Sequence, residues 1–257
     1  MRMFIKNFWK QVLFFAVFFT FWEGSVRFFR IPDWLLPGPI QIFREGITSF
    51  TVYSSHIIPT VSLALFGLLI GSLCGAITAI VLHLVPALKD MFYPLIIMSQ
   101  NIPIIVLAPL LVIWFGFGML PKVIVITLVC YFPVTISLLS GFSQADRELK
   151  HYMLMAGASK KQIFWKLEWP GALPALFSGL KIAATYSVMG AVIAEWLGAK
   201  KGIGVFMTLS SSAFRTDRVF IAIFIIVIFS FLLFLLIQFL EKLAIRWRPT
   251  GEGNNHE

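Results

Sequence analysis

Charge is scarce in this chain. Of its 257 residues, 13% are Asp, Glu, Lys or Arg, where a soluble domain carries about 25%. So few charges cannot cover a globular surface in water. With 59% hydrophobic residues and a mean hydropathy of +0.89, much of the surface must face lipid. Catalytic motifs are missing as well. The dipeptide Gly-Lys occurs nowhere, which excludes a phosphate loop of the G-x-x-x-x-G-K-[ST] kind. There is no G-x-S-x-G and no H-E-x-x-H, so no enzyme chemistry is visible. Cysteine is nearly absent. Cys74 and Cys130 sit singly in apolar runs and read as small buried hydrophobes, not as a disulfide. His56, His83, His151 and His256 lack ligand spacing, so neither a metal nor a cofactor is expected. The net charge of +9 comes without a basic stripe or nucleic-acid-reading motif. It reads as loop charge on the inner side of a membrane, and nucleic acid is not an expected partner.

What is present is a series of apolar stretches long enough to cross a bilayer, each of about 20 residues. Six are expected: Phe8–Phe28, Ile57–Leu84, an interrupted Met91–Phe117, Lys122–Phe142, Ala175–Leu197 and Val219–Leu243. The basic N-terminus followed by an apolar run resembles a secretory signal. The run continues through Trp22 without a small-x-small cleavage site, which favours an uncleaved first helix. An even number of spans puts both termini on one side. Arg2, Lys6, Lys10, Lys242, Arg246 and Arg248, with Arg147 and Lys150, make that side the cytoplasm. The fold class expected is an all-α integral membrane bundle, read as one domain over 1–257 with its core at 57–243.

Three features inside the spans stand out. Gly67, Gly71, Gly75 and Ala79 recur every four residues and give one smooth helix face for close packing. Ser99-Gln100-Asn101-Ile102-Pro103 breaks the third span. Its freed backbone groups must find protein or water, so the break lines the bundle interior, either as part of a path or as a kink satisfied by a neighbour. Lys181 and Glu195 are ionisable groups within the fifth span. Fourteen residues separate them, about 21 Å of helix, so they cannot pair with each other. Lys181 is read as snorkelling to the inner surface or facing a partner. Glu195 lines a mouth or sits at the interface beside Trp196.

Between the fourth and fifth spans, at about 143–174, lies a polar, aromatic segment too short to cross. Ser143 or Asp146 caps a helix over Arg147–Ala156, and Gly157 suits its C-terminal position. Ser159-x-x-Gln162 is a capping box for a second helix from Lys160 to about Trp169, where Pro170 ends it. Physics alone leaves three roles open: lying on the membrane, packing under the bundle, or inserting into a partner.

Gly157-Ala158-Ser159, then Ile163-Phe164, then Pro170-x-x-x-Pro174 resemble the cytoplasmic coupling loop of ABC-importer permeases. The likeness extends over about residues 30–245. It takes in Leu36-Pro37-Gly38-Pro39, the run from Pro109 to Gly116, Ser178–Ala183 and Ala194-Glu195, as in the nitrate/sulfonate/taurine branch. One departure is clear. Where the family usually has Glu-Ala-Ala, this chain reads His151-Tyr152-Met153, with Glu148 the nearest acid. The resemblance implies a type I six-helix importer permease in a bacterial inner membrane, usually a homodimer. Two ATP-binding cassette subunits and an extracytoplasmic substrate-binding protein would be its partners. Met155, Ala156, Gly157, Ala158, Ser159, Ile163 and Phe164 would form the ATPase-coupling contact. Gln100, Asn101, Tyr186, Glu195 and Trp196 would line the path. The stretch Ala184–Ala199 most resembles permeases for the pyrimidine precursor of thiamine, with riboflavin, sulfonate and nitrate permeases also similar. Tyr186, Trp196 and Trp114 could stack a flat heterocycle. A proton-coupled carrier using Glu195, or a membrane enzyme, is the alternative.

Overall fold

A computed structural model describes residues 2–245, with side chains from residue 9 onward. Arg2, Lys6, Arg246, Arg248 and His256, on which part of the charge reading rests, lie outside the described side chains. The chain is helical nearly throughout. In order the helices are α1 (Arg2–Phe28), α2 (Pro39–Thr48), α3 (Phe50–Leu84), α4 (Pro86–Ser99), α5 (Ile104–Phe115) and α6 (Met119–Ser143). There follow α7 (Arg147–Met155), α8 (Lys160–Ile163), a π-helical turn (Phe164–Glu168), α9 (Trp169–Glu195), α10 (Ile203–Ser212) and α11 (Thr216–Ala244).

Among the described residues, four segments are long and apolar enough to span a membrane: α3, α6, α11 and the continuous run Lys160–Glu195. Helices α4 and α5 make a fifth if counted as one broken span, bent by 99°. The break falls at residues 100–103, where the sequence placed it. Helix α1 covers the first expected span but falls outside that set. Helices α2 and α10 were not anticipated. Each has 10 residues, too short to stand out against the longer runs.

The chain divides into two compact units. Among the described residues, one comprises 2–59 with 200–227 and the other 60–199 with 228–245. In the first, Ile203, Phe206 and Ala222 form a small core against Tyr53 and Ile57. The Glu23 carboxylate takes a hydrogen bond from the Ile40 amide (3.2 Å) and pairs with Arg27 (2.7 Å), holding the Pro37-Gly38-Pro39 corner beside α1. Glu45 pairs with Arg215 and Arg218, each at 2.8 Å.

In the second unit α6 is the central helix. Leu138 and Val134 are completely buried. The small-residue face of α3 packs against it as expected. A Cβ on Gly71 would lie 2.6 Å from Cys130 Cβ and 2.7 Å from the Thr127 carbonyl, and one on Gly67 would lie 2.3 Å from Ile126. Helix α9 approaches through Gly179, whose Cβ would meet the Pro133 carbonyl at 2.8 Å. Cys130 is buried as read, but Cys74 is exposed. It precedes Gly75 by one residue, which turns it about 100° off the packed face.

Two expectations for the 143–174 segment are corrected. Pro170 does not end the second helix. Lys160–Glu195 runs on as one helical path because the π-helical turn shifts the ladder: the Trp169 amide bonds to Phe164 five residues back. Proline lacks a donor, and its ring would clash with the carbonyl four residues earlier in a regular helix. The widened turn relieves that crowding. The second correction concerns direction. Ile163 and Phe164 are 3% and 6% exposed, packed inward rather than outward. Phe164 joins Ala79, Leu82, Leu138 and Phe142 in one apolar cluster.

Candidate functional site: a cleft at a broken helix and a capped loop

The α4–α5 break opens a cleft of about 540 Å³, lined by Gln100, Asn101, Phe132, Ser137 and Tyr186 among others. Pro103 explains the break, since no helix ladder can pass through it. Side chains at the break bond to carbonyls in the last turn of α4. Ser99 Oγ donates to the Ile96 carbonyl (3.0 Å) and Asn101 Nδ2 to the Ile97 carbonyl (2.7 Å). Satisfying a kink and lining a cleft are thus compatible roles for one residue. Helix α6 supplies the apolar wall through Leu128, Val129 and Phe132, and α9 contributes Ile182 and Tyr186. The cleft combines an apolar wall, an aromatic face and two amides, and its volume falls within the roughly 300–1,000 Å³ of small-molecule sites.

Two of the five residues expected on the path, Glu195 and Trp196, do not line this cleft. Glu195 is 2% exposed and accepts a hydrogen bond from Thr60 Oγ1 at 2.6 Å. Lys122, itself 8% exposed, acts on it electrostatically. A carboxylate so buried does not line an open mouth. Trp196, 46% exposed at the end of α9, and Trp114, 65% exposed on α5, also lie outside the cleft. The partners of both ionisable groups were missed because they are remote in sequence. Lys181 pairs with Glu241 at 2.9 Å, and Thr60 is 135 residues from Glu195. Lys122 was read only as the edge of a span.

The 143–174 segment forms the capped structure its sequence indicates. Asp146 Oδ1 accepts from the amides of Glu148 (2.9 Å) and Leu149 (3.1 Å), while Ser143 bonds back to Leu139. Gly157 has φ +79°, and the Ala158 amide bonds to the Met153 carbonyl, closing a Schellman-type end. The Ser159–Gln162 capping box has both of its hydrogen bonds, at 2.7 and 3.3 Å. The result presents apolar side chains to the outside. Tyr152 is 67% exposed and Met155 74%. Ala156, Gly157 and Ser159 are exposed beside them, and Ala158 is half-buried.

The described residues form an apolar helical bundle with a largely apolar cleft at a broken helix. Residues 67–246 match the family described as "Binding-protein-dependent transport system inner membrane component". The formylaminopyrimidine transport permease protein of Halalkalibacterium halodurans is 35% identical over 93% of this chain and 96% of its own length. The riboflavin transport system permease protein of Chloroflexus aurantiacus is 29% identical, and the taurine transport system permease protein of Escherichia coli 28% identical. Each match covers 90% of this chain and 87% of the relative. Among solved structures, an amino acid ABC transporter crystallised with histidines matches with a TM-score of 0.62. That match covers 79% of this chain and 97% of the other at 18% identity, a likeness of fold alone. The chain belongs to the binding-protein-dependent inner-membrane component family. It is a permease of the ABC-importer kind, a non-catalytic membrane subunit whose family implies an ATP-binding cassette subunit and a substrate-binding protein as partners.

Proposed function

We propose that this permease carries the pyrimidine precursor of thiamine, hydroxymethylpyrimidine or a formylamino relative, through the cleft at the α4–α5 break. The observation that carries this reading is the pairing of Gln100 and Asn101 with Tyr186 in one cleft. Amides offer both donors and acceptors, which complement the ring nitrogens and exocyclic amine of an aminopyrimidine, and a tyrosine ring stacks on a flat heterocycle. The 35% identity to a formylaminopyrimidine permease supports the same class. A sulfonate or nitrate would call for cationic donors, and no Lys or Arg is among the described residues that line the cleft.

The remaining assembly follows from the coupling loop. Met155–Ser159, with Tyr152, seat in a groove of an ATPase subunit, while Ile163 and Phe164 hold the loop to the bundle from behind. Apolar side chains around a glycine turn let a rigid-body motion pass without breaking fixed ion pairs. Two permease copies and two cassettes form the complex, with α1 as the sixth span and both termini in the cytoplasm. Closure of the cassettes on ATP biases the bundle between inward and outward states.

The test is uptake of labelled hydroxymethylpyrimidine by cells expressing this chain with its ATPase and binding protein. Tyr186→Ala and Gln100→Ala should each lower uptake roughly tenfold, equal to about 1.4 kcal/mol, while Tyr186→Phe should retain it. Uptake suppressed equally by taurine, or unaffected by both alanine variants, refutes the substrate assignment.

A further inference from the structure

We propose that Glu168 is a positioning residue that ties helix α7 to α3 and α9, so that motion imposed on α7 reaches the bundle through one carboxylate. The proposal rests on the reading of Met155–Ser159 as the ATPase-coupling contact. No residue of α7 is buried, so apolar packing does not fix its orientation. What reaches back from it is Lys150, whose Nζ lies 2.6 Å from Glu168 Oε1. The other oxygen, Oε2, lies 2.8 Å from His83 Nε2 near the end of α3.

The carboxylate is therefore held from two sides. Its side chain is 7% exposed, against 44% for Lys150 and 19% for His83. The imidazole is fixed in turn, lying nearly parallel to the Phe142 ring at 4.3 Å and 15°. Phe142 belongs to the buried cluster of Leu82, Leu138, Phe164 and Ala172. Glu168 is the last residue of the π-helical turn and immediately precedes α9. Such turns occur often at functional positions, because the widened ladder is the easiest place for a helix to change direction.

Three segments thus converge on one buried anion: α7 through a cation, α3 through an imidazole, and α9 through the backbone that bears the carboxylate. A buried carboxylate bonded to two donors has a narrow range of positions, since breaking either contact leaves one of its oxygens buried without that partner. Displacement of α7 then moves Glu168, and with it the start of α9 and the end of α3, as a unit. The half-buried Lys150 is the link that can be removed without emptying the interior.

The experiment compares the full chain, assembled with its ATPase and binding protein in vesicles, with Lys150→Met, Glu168→Gln and the control Lys161→Met. The readouts are cassette retention, ATP hydrolysis and substrate taken up per ATP hydrolysed. Lys150→Met and Glu168→Gln should lower uptake per ATP roughly fivefold or more with the cassette retained, while Lys161→Met does not. An unchanged ratio in Lys150→Met with the cassette retained overturns the proposal and leaves the coupling-loop reading standing. Should Glu168→Gln fail to insert, Lys150→Met decides alone. Limited trypsin digestion of the membrane-inserted chain gives a second measure that needs no ATPase. Glu168→Gln should speed cleavage at Arg147, and cleavage at the native rate overturns the proposal. Absence of a cassette from the native complex sinks the coupling-loop reading instead, and the trypsin result still decides whether Glu168 holds α7.

Discussion

Replacing Gly71 by valine tests whether α3 and α6 meet as closely as their small-residue face implies. The position is buried, and even the first added atom would stand 2.6 Å from Cys130 Cβ and 2.7 Å from the Thr127 carbonyl. The first neighbour is anchored to a fully buried side chain and the second is backbone, so neither can swing aside. Two further methyl carbons deepen the conflict, and α3 must back away from α6. Overpacking of this kind costs about 1–3 kcal/mol, and separating two helices along a face places the cost at the upper end. For a chain of this size each kcal/mol lowers the unfolding midpoint by about 2–4 °C, so a fall of about 5–10 °C is expected. The assay is the loss of monodisperse protein on heating in mild detergent. Gly24→Ala is the control, because nothing lies within 4 Å of a Cβ there. Gly24→Ala should change the midpoint little or raise it, since alanine favours helix over glycine by about 1 kcal/mol. A Gly71→Val midpoint within a degree or two of this control would refute the packing argument for the whole Gly67–Ala79 face.

Other outcomes follow from the charged groups and the loop. Lys181→Met and Glu241→Gln should each destabilise the chain by about 1–3 kcal/mol by leaving a half-buried partner uncompensated. The double variant should recover part of the loss, and strictly additive losses in the same heating assay would show that the two groups do not act as a pair. At Glu45, burial opposes ionisation, but hydrogen bonds from Ser49 and Arg218 and the charges of Arg215 and Arg218 outweigh it. Together they hold the carboxyl at about 2, below its ordinary 4.5. Because the folded-state value is depressed, its stabilisation is complete above about pH 4.5 and fades as the pH falls toward 2. Glu45→Gln should flatten the dependence of the unfolding midpoint on pH across that window. Gly157→Arg should abolish co-purification with the ATPase while membrane insertion persists, since φ +79° disfavours any side chain and the position is exposed. Retention of the ATPase by Gly157→Arg would place the docking contact elsewhere.

Legibility in the sequence divides along the range of the interactions. Asp146, Gly157 and the Ser159–Gln162 box were readable because each acts on backbone within a few residues, where helix-end chemistry is nearly context-free. The break at 100–103 was readable for the same reason. The lengths of α3 and α11 were readable only in part. Helix α3 starts at Phe50 rather than Ile57, since Ser54, Ser55 and His56 interrupt the apolar run without interrupting the helix. Continuity through Pro170 was not readable. A proline signals a helix end unless the preceding turn is already widened, and no local residue type encodes a π-helical turn.

Direction and pairing were the least legible, and the candidate sites depend on both. Ile163 and Phe164 have the apolar character that suits either a docking surface or a core. Which one they serve is decided by whether Ala79, Leu82 and Phe142 stand opposite, about 20 to 85 residues away in the chain. Glu195 shows the same limit in charged form. A lone carboxylate in an apolar span signals a path or a mouth when its partners are unknown. Once Thr60 and Lys122 are placed beside it, it becomes part of the interior of the bundle. Gln100 and Asn101 line the cleft because they follow directly on α4 at the break, where the Gln100 amide still bonds to Ile96 and the Asn101 amide turns to Met98, three residues back. Replacing Pro103 by alanine separates the two causes. If the proline alone sets the break, α4 and α5 should straighten toward one helix and uptake should fall with the cleft. If instead the α6 wall and the Ser99 and Asn101 side-chain bonds hold the bend, uptake should survive, because those contacts remain when the proline is gone.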